Sequence, residues 1–87
     1  MNGDQSGKLS RSVIDAVENQ LRENKPPEVN QTLERLVAEG HSREEAITLI
    51  GRAMAVEIQE VMITGVAYNE ERYLGSLKAL PDPPEPE

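Results

Sequence analysis

The chain has 87 residues, with 16 acidic against 9 basic side chains for a net charge of −7, one histidine and no cysteine. A chain of this length makes one domain that buries only about 60–65% of its unfolded surface, so its core is small unless a second subunit extends it. The missing cysteines exclude a disulfide framework and a thiolate zinc site, and the acidic excess repels phosphate backbones and anionic headgroups, which argues against nucleic-acid and membrane partners. With no Phe or Trp, and Tyr68 and Tyr73 as the two aromatics, the core must be built from Leu, Ile, Val, Met and Ala. That composition suits helices better than sheets.

Residues 1–8 are polar and carry nothing periodic to bury, so a flexible leader is expected there, without the layout of a signal peptide. No apolar run approaches the ~18 residues of a membrane span, and on these absences a cytoplasmic protein of bacterial style is expected. A single helical domain is predicted over 9–80. Its first helix, about 10–23, starts from a Ser10 or Ser12 cap and puts Val13, Ile14, Val17 and Leu21 on one stripe. Pro26-Pro27 marks the break, the second proline suiting the first turn of a helix over about 27–39. Val29, Leu33, Leu36 and Val37 form its apolar stripe, and Gly40 ends it.

Ser42 and Glu45 form a capping box that fixes the start of a third helix over about 43–64. Gly65 closes it, and Asn69 caps a fourth helix over about 70–80, with Glu70 and Glu71 at its positive dipole end. Tyr73, Leu74, Leu77 and Leu80 are its apolar face. The Pro- and Glu-rich residues 81–87 cannot continue a helix and are expected to be a disordered tail. The fold class is therefore all-α, four helices around a long central third one.

The third helix carries the functional reading. On a helical wheel its polar positions Glu44, Glu45, Thr48, Gly51, Arg52 and Gln59 occupy about a third of the circumference. The remaining apolar arc is about twice as wide as one buried face needs. Two sets of neighbours would satisfy it, the chain's own helices and another surface; the alternative is that the other three helices wrap it within one monomer. The first reading makes Ile47, Met54, Ile58, Val61 and Met62 interface residues, with the methionines giving an adaptable surface.

Glu57 falls near the centre of the apolar arc and is predicted to be a buried carboxylate, paired with Arg35, Arg72 or a tyrosine hydroxyl. A perturbed carboxylate is also a candidate acid, base or metal ligand. An alternative reading accordingly makes the chain a small metal-dependent or acid/base enzyme using Glu57, Glu60 and His41. Against it, position 60 lacks the histidine of a Glu-x-x-His motif, and His41 follows a helix-ending glycine, where it is expected to pack back on Leu36 or Val37. No catalytic, cofactor-binding or metal-binding residue is assigned, and no cofactor is implied.

The segments Asn24-Lys25-Pro26-Pro27-Glu28-Val29, Glu39-Gly40-His41-Ser42, Glu45-Ala46, Leu49-Ile50, Glu57-Ile58 and Tyr73 to Pro81 together resemble an uncharacterised family of small helical bacterial proteins. The resemblance covers roughly residues 18–81 and implies a helical domain with no established activity. Gly40 to Ala46 is locally similar to the first loop of ubiquitin-associated domains. The contact pattern of those domains is replaced here by Glu39-Gly40-His41, and the helix that follows is too long for that module. The expectation from sequence is a non-enzymatic protein–protein interaction module forming a homodimer through its third helix. An acidic regulatory subunit whose tail docks on a basic protein partner is a further alternative.

Overall fold

The computed structural model describes residues 10–82, which form α1 (Arg11–Glu23), α2 (Pro27–Ala38), α3 (Arg43–Thr64) and α4 (Glu70–Ala79), with no strand among the described residues. The predicted leader, and the predicted tail beyond Asp82, lie outside them. Each helix is bounded by local chemistry. Ser10 accepts from the Val13 N–H at 3.3 Å to open α1. Asn24, with a left-handed φ of 57°, closes it: its N–H donates to the Leu21 carbonyl and the Lys25 N–H to the Gln20 carbonyl. This paired-bond turn satisfies two orphan carbonyls at a helix end. The Asn30 amide of α2 donates to the Leu21 carbonyl and to Asn24 Oδ1, each at 3.0 Å, and so ties the second helix to the turn that precedes it.

The same turn closes α2, with Gly40 at φ 112° donating to Val37 and His41 donating to Leu36. Both bonds of the capping box are present at the start of α3: the Glu45 N–H donates to Ser42 Oγ at 3.0 Å and the Ser42 N–H to Glu45 Oε1 at 3.1 Å. Gly65, at φ 75°, ends α3 by donating to the Val61 carbonyl at 2.8 Å. Asn69 Oδ1 accepts from the Arg72 N–H and opens α4. The far end of α4 is held from outside, because Arg35 of α2 donates from Nη2 to the Leu77 carbonyl at 2.9 Å and from Nη1 to the Leu80 carbonyl at 3.0 Å. A fixed cation on the negative end of a helix is favourable as charge as well as hydrogen bond.

α1, α2 and α4 all pack on α3. At about 1.5 Å per residue its 22 residues span roughly 33 Å, nearly the largest extent of a molecule measuring 35 × 33 × 24 Å. The core gathers Val17, Val29, Leu36, Ile50, Tyr73 and Leu77 as its largest fully buried side chains. Tyr73 keeps its hydroxyl satisfied by donating to Gln20 Oε1 of α1 at 2.8 Å. Gly51, which the wheel puts on the polar sector, is buried. No helix among the described residues is long and apolar enough to cross a membrane.

Candidate functional site

The wide apolar arc of α3 divides along the helix. Over its first four turns it is enclosed, and Ala46, Ile47, Ile50, Ala53 and Met54 are all buried within the chain. Two members of the expected interface, Ile47 and Met54, are thus core residues of the monomer, at 4% and 5% exposure. Past Glu57 the neighbours give out. Val61 sits on the core-facing side of the wheel and is nonetheless only half-buried, while Ile58 is exposed, Met62 is 79% exposed and Ile63 is 71% exposed. Val66 and Tyr68 in the following turn are exposed as well.

The sequence through this end of α3 and the turn after it is uncharged. From Val61 to Asn69 there are nine consecutive residues without a formal charge, the longest such run in a chain that is 29% charged. The last turn of α3 also lacks a basic residue, although lysine or arginine there would both solvate the helix end and offset its negative dipole. Ile63, Val66 and Tyr68 escape a search by apolar periodicity because two of them lie beyond the helix. The break in charge along the sequence is the signal that finds them.

Glu57 lies beneath this end. Its side chain is 4% exposed, and Oε2 accepts from Arg72 Nε of α4 at 3.1 Å. Arg72 Nη2 also reaches to 3.7 Å from Glu60 Oε1, so one guanidinium serves two carboxylates one turn apart. Tyr68 packs its ring 6.1 Å from that of Tyr73 at a tilt of 52°. Burial, then the negative charges of Glu70 and Glu57, push its hydroxyl up to about 12. Burial, with Tyr68 alongside, raises Tyr73 further still.

His41 belongs to a different part of the molecule. Its N–H closes the α2 turn, and its half-buried ring places Nδ1 3.7 Å from Glu45 Oε1. Glu57 is 14 residues beyond the start of α3, about 21 Å along the axis. The structure therefore joins Glu57 to Glu60 through Arg72 and does not bring His41 to them. Among the described residues no group of three or more histidines and carboxylates is placed to hold a metal ion. An open cleft of about 530 Å³ runs past His41, Glu44, Thr48, Leu49 and Arg52, but its Ser42 and Glu45 are already used in capping α3. No family model, curated protein or solved structure matches the chain.

Proposed function

We propose that this protein is a non-enzymatic interaction module of the cytoplasm that pairs with a second copy of itself through the C-terminal end of α3. The observation that carries the reading is the coincidence of exposure with lack of charge: Met62, Ile63, Val66 and Tyr68 stand in solvent inside the longest uncharged run of the chain. An exposed apolar patch of this kind marks a contact surface. A second copy suits it because two chains of net charge −7 meet without opposing like charges only where neither carries any. Charges outside the contact are screened within about 8 Å at physiological salt.

The stretch 58–69 offers about a dozen residues, against roughly 20–30 a side in a standard interface. The dimer is accordingly a weak one, with a dissociation constant on the order of 10 μM. Sedimentation of the full chain from about 1 μM to about 1 mM, a range that brackets that value, should show monomer passing to dimer. Met62→Glu should stay monomeric throughout while keeping its thermal midpoint, since the side chain it replaces is exposed. A parent protein that remains a monomer at the upper limit refutes the proposal.

A further inference from the structure

The packing of α4 against α2 leaves a hollow of about 230 Å³, lined by Leu74, Leu77 and Lys78 of α4 and by Glu28, Thr32 and Arg35 of α2. Thr32 is 6% exposed, yet its hydroxyl has no hydrogen-bond partner among the described residues. A threonine within a helix can settle its hydroxyl on the carbonyl four residues back, and Thr64 does so, donating to the Glu60 carbonyl at 2.7 Å. Thr32 makes no such bond to Glu28. A buried hydroxyl left in this way is destabilising, and a hydrogen-bonding occupant of the hollow removes the conflict.

Charge around the hollow is divided along α2. Arg35 is held at the C-terminal end of α4 by its bonds to the Leu77 and Leu80 carbonyls, and Lys78, the residue after Leu77, is exposed and lines the hollow too. Glu28, half-buried, lies seven residues before Arg35, about 10 Å along the helix axis, with Thr32 between them. Neither Glu28 nor Lys78 has an ion pair among the described residues. Two opposite charges therefore border one hollow without neutralising each other.

We infer that this hollow binds a free dipeptide with small side chains. A two-residue extended chain spans about 7 Å and a terminal hydrogen bond adds about 3 Å, whereas a single amino acid is half as long and falls short. The ligand's ammonium lies at Glu28, its carboxylate at Lys78 near the fixed guanidinium of Arg35, and its one amide bond meets the Thr32 hydroxyl between them. Leu74 and Leu77 supply apolar contact. The volume lies below the ~300–1,000 Å³ of sites for drug-sized molecules, which limits the side chains to small ones. None of these residues belongs to the stretch 58–69, so the site and the self-association proposed above stand or fall separately.

Titrating the isotopically labelled full chain with glycylvaline, followed by amide chemical shifts, should give saturable changes around the hollow in α2 and α4, with half-saturation on the order of 1 mM. Valine, too short to join the two ends, and N-acetylglycylvaline, which lacks the ammonium, should each bind at least about tenfold more weakly. Thr32→Val keeps the shape of the side chain and removes the hydroxyl. It should bind glycylvaline about tenfold more weakly, while its thermal midpoint stays at or above the parent's because no internal hydrogen bond is lost. Glu28→Gln and Lys78→Met should each weaken binding about threefold to fivefold, as befits partly exposed charges, with circular dichroism confirming that both are folded. The inference is overturned by the lack of any saturable change up to about 50 mM, well past the expected half-saturation. Valine binding as well as the dipeptide, or Thr32→Val binding at the parent's strength, overturns it too. A lowered thermal midpoint for Thr32→Val does the same, since it would mean that the hydroxyl is satisfied within the chain.

Discussion

Removing Arg72 should harm this domain more than neutralising Glu57. Arg72→Met keeps an apolar stem of similar reach and deletes the cation that Glu57, buried to 3% exposure, faces at 3.1 Å. The orphaned carboxylate is left as an unpaired charge in a poor solvent. Removing one partner of a fully buried pair costs about 3–5 kcal/mol. That figure is a ceiling on the penalty. Solvent reaches the pair through Arg72, whose side chain is 39% exposed, so about half the ceiling, roughly 2 kcal/mol at pH 7, is the expected loss. In a domain of this size that lowers the thermal midpoint by about 8–16 °C.

Glu57→Gln keeps shape and an acceptor for Arg72 and should cost about 1 kcal/mol. The double variant should be more stable at pH 7 than Arg72→Met alone, because it leaves no buried charge. Urea unfolding followed by circular dichroism at pH 7 gives the stabilities of the parent and the three variants. A double variant less stable than Arg72→Met would refute the account of Glu57 as a carboxylate held by its cation.

Arg35→Lys should destabilise by about 1–2 kcal/mol despite keeping the charge, because a single ammonium does not reproduce the forked pair of bonds to the Leu77 and Leu80 carbonyls; thermal unfolding of the variant measures it. Both tyrosine hydroxyls are raised, so their stabilising effect is complete below the ordinary value near 10 and is lost as pH climbs toward about 12, where Tyr68 ionises. Tyrosinate absorbance and ellipticity recorded together should therefore move late and in step, and tyrosinate appearing near pH 10 with the helices intact would contradict the burial assigned to these rings.

The helices were legible because their ends are written in local chemistry. Ser42 with Glu45, Gly65 and Asn69 set boundaries that involve only neighbours in sequence, and the observed α3, Arg43–Thr64, coincides with the range predicted. The close of α1 was read from Pro26-Pro27, whereas Asn24 makes the left-handed turn, a role that few residues other than glycine take on. What the wheel could not supply was the number and length of the neighbours. It treats every turn of α3 alike, so Ile47 and Met62 share one arc, although the first is buried in the core and the second stands in solvent. Gly51 failed for a related reason: a residue without a side chain has no polarity of its own, and its polar sector is an accident of the residues around it. Glu57 was conspicuous because a charge among apolar residues needs a partner, but the choice of Arg72 over Arg35 depended on where α4 returns. Arg35 is instead engaged with the far end of that same helix.

The placement of Arg72 on the last helix bears on how the chain folds. As the polypeptide emerges from its N-terminus, α1, α2 and α3 are available first, and Tyr73, Leu77 and Leu80 complete the core only when α4 has been made. The contacts that α4 closes are distant in sequence, Tyr73 with Gln20 and Arg35 with Leu80 among them, so they are late contacts by loop-closure entropy as well as by order of synthesis. Until then Glu57 lacks its cation. The helix that completes the core also delivers the guanidinium that neutralises it, so completion of the core and pairing of the carboxylate are one event. The chain thereby avoids an intermediate holding a naked carboxylate in its interior, and the one residue that conflicts with the apolar pattern of α3 adds no competing minimum to the route by which the domain closes.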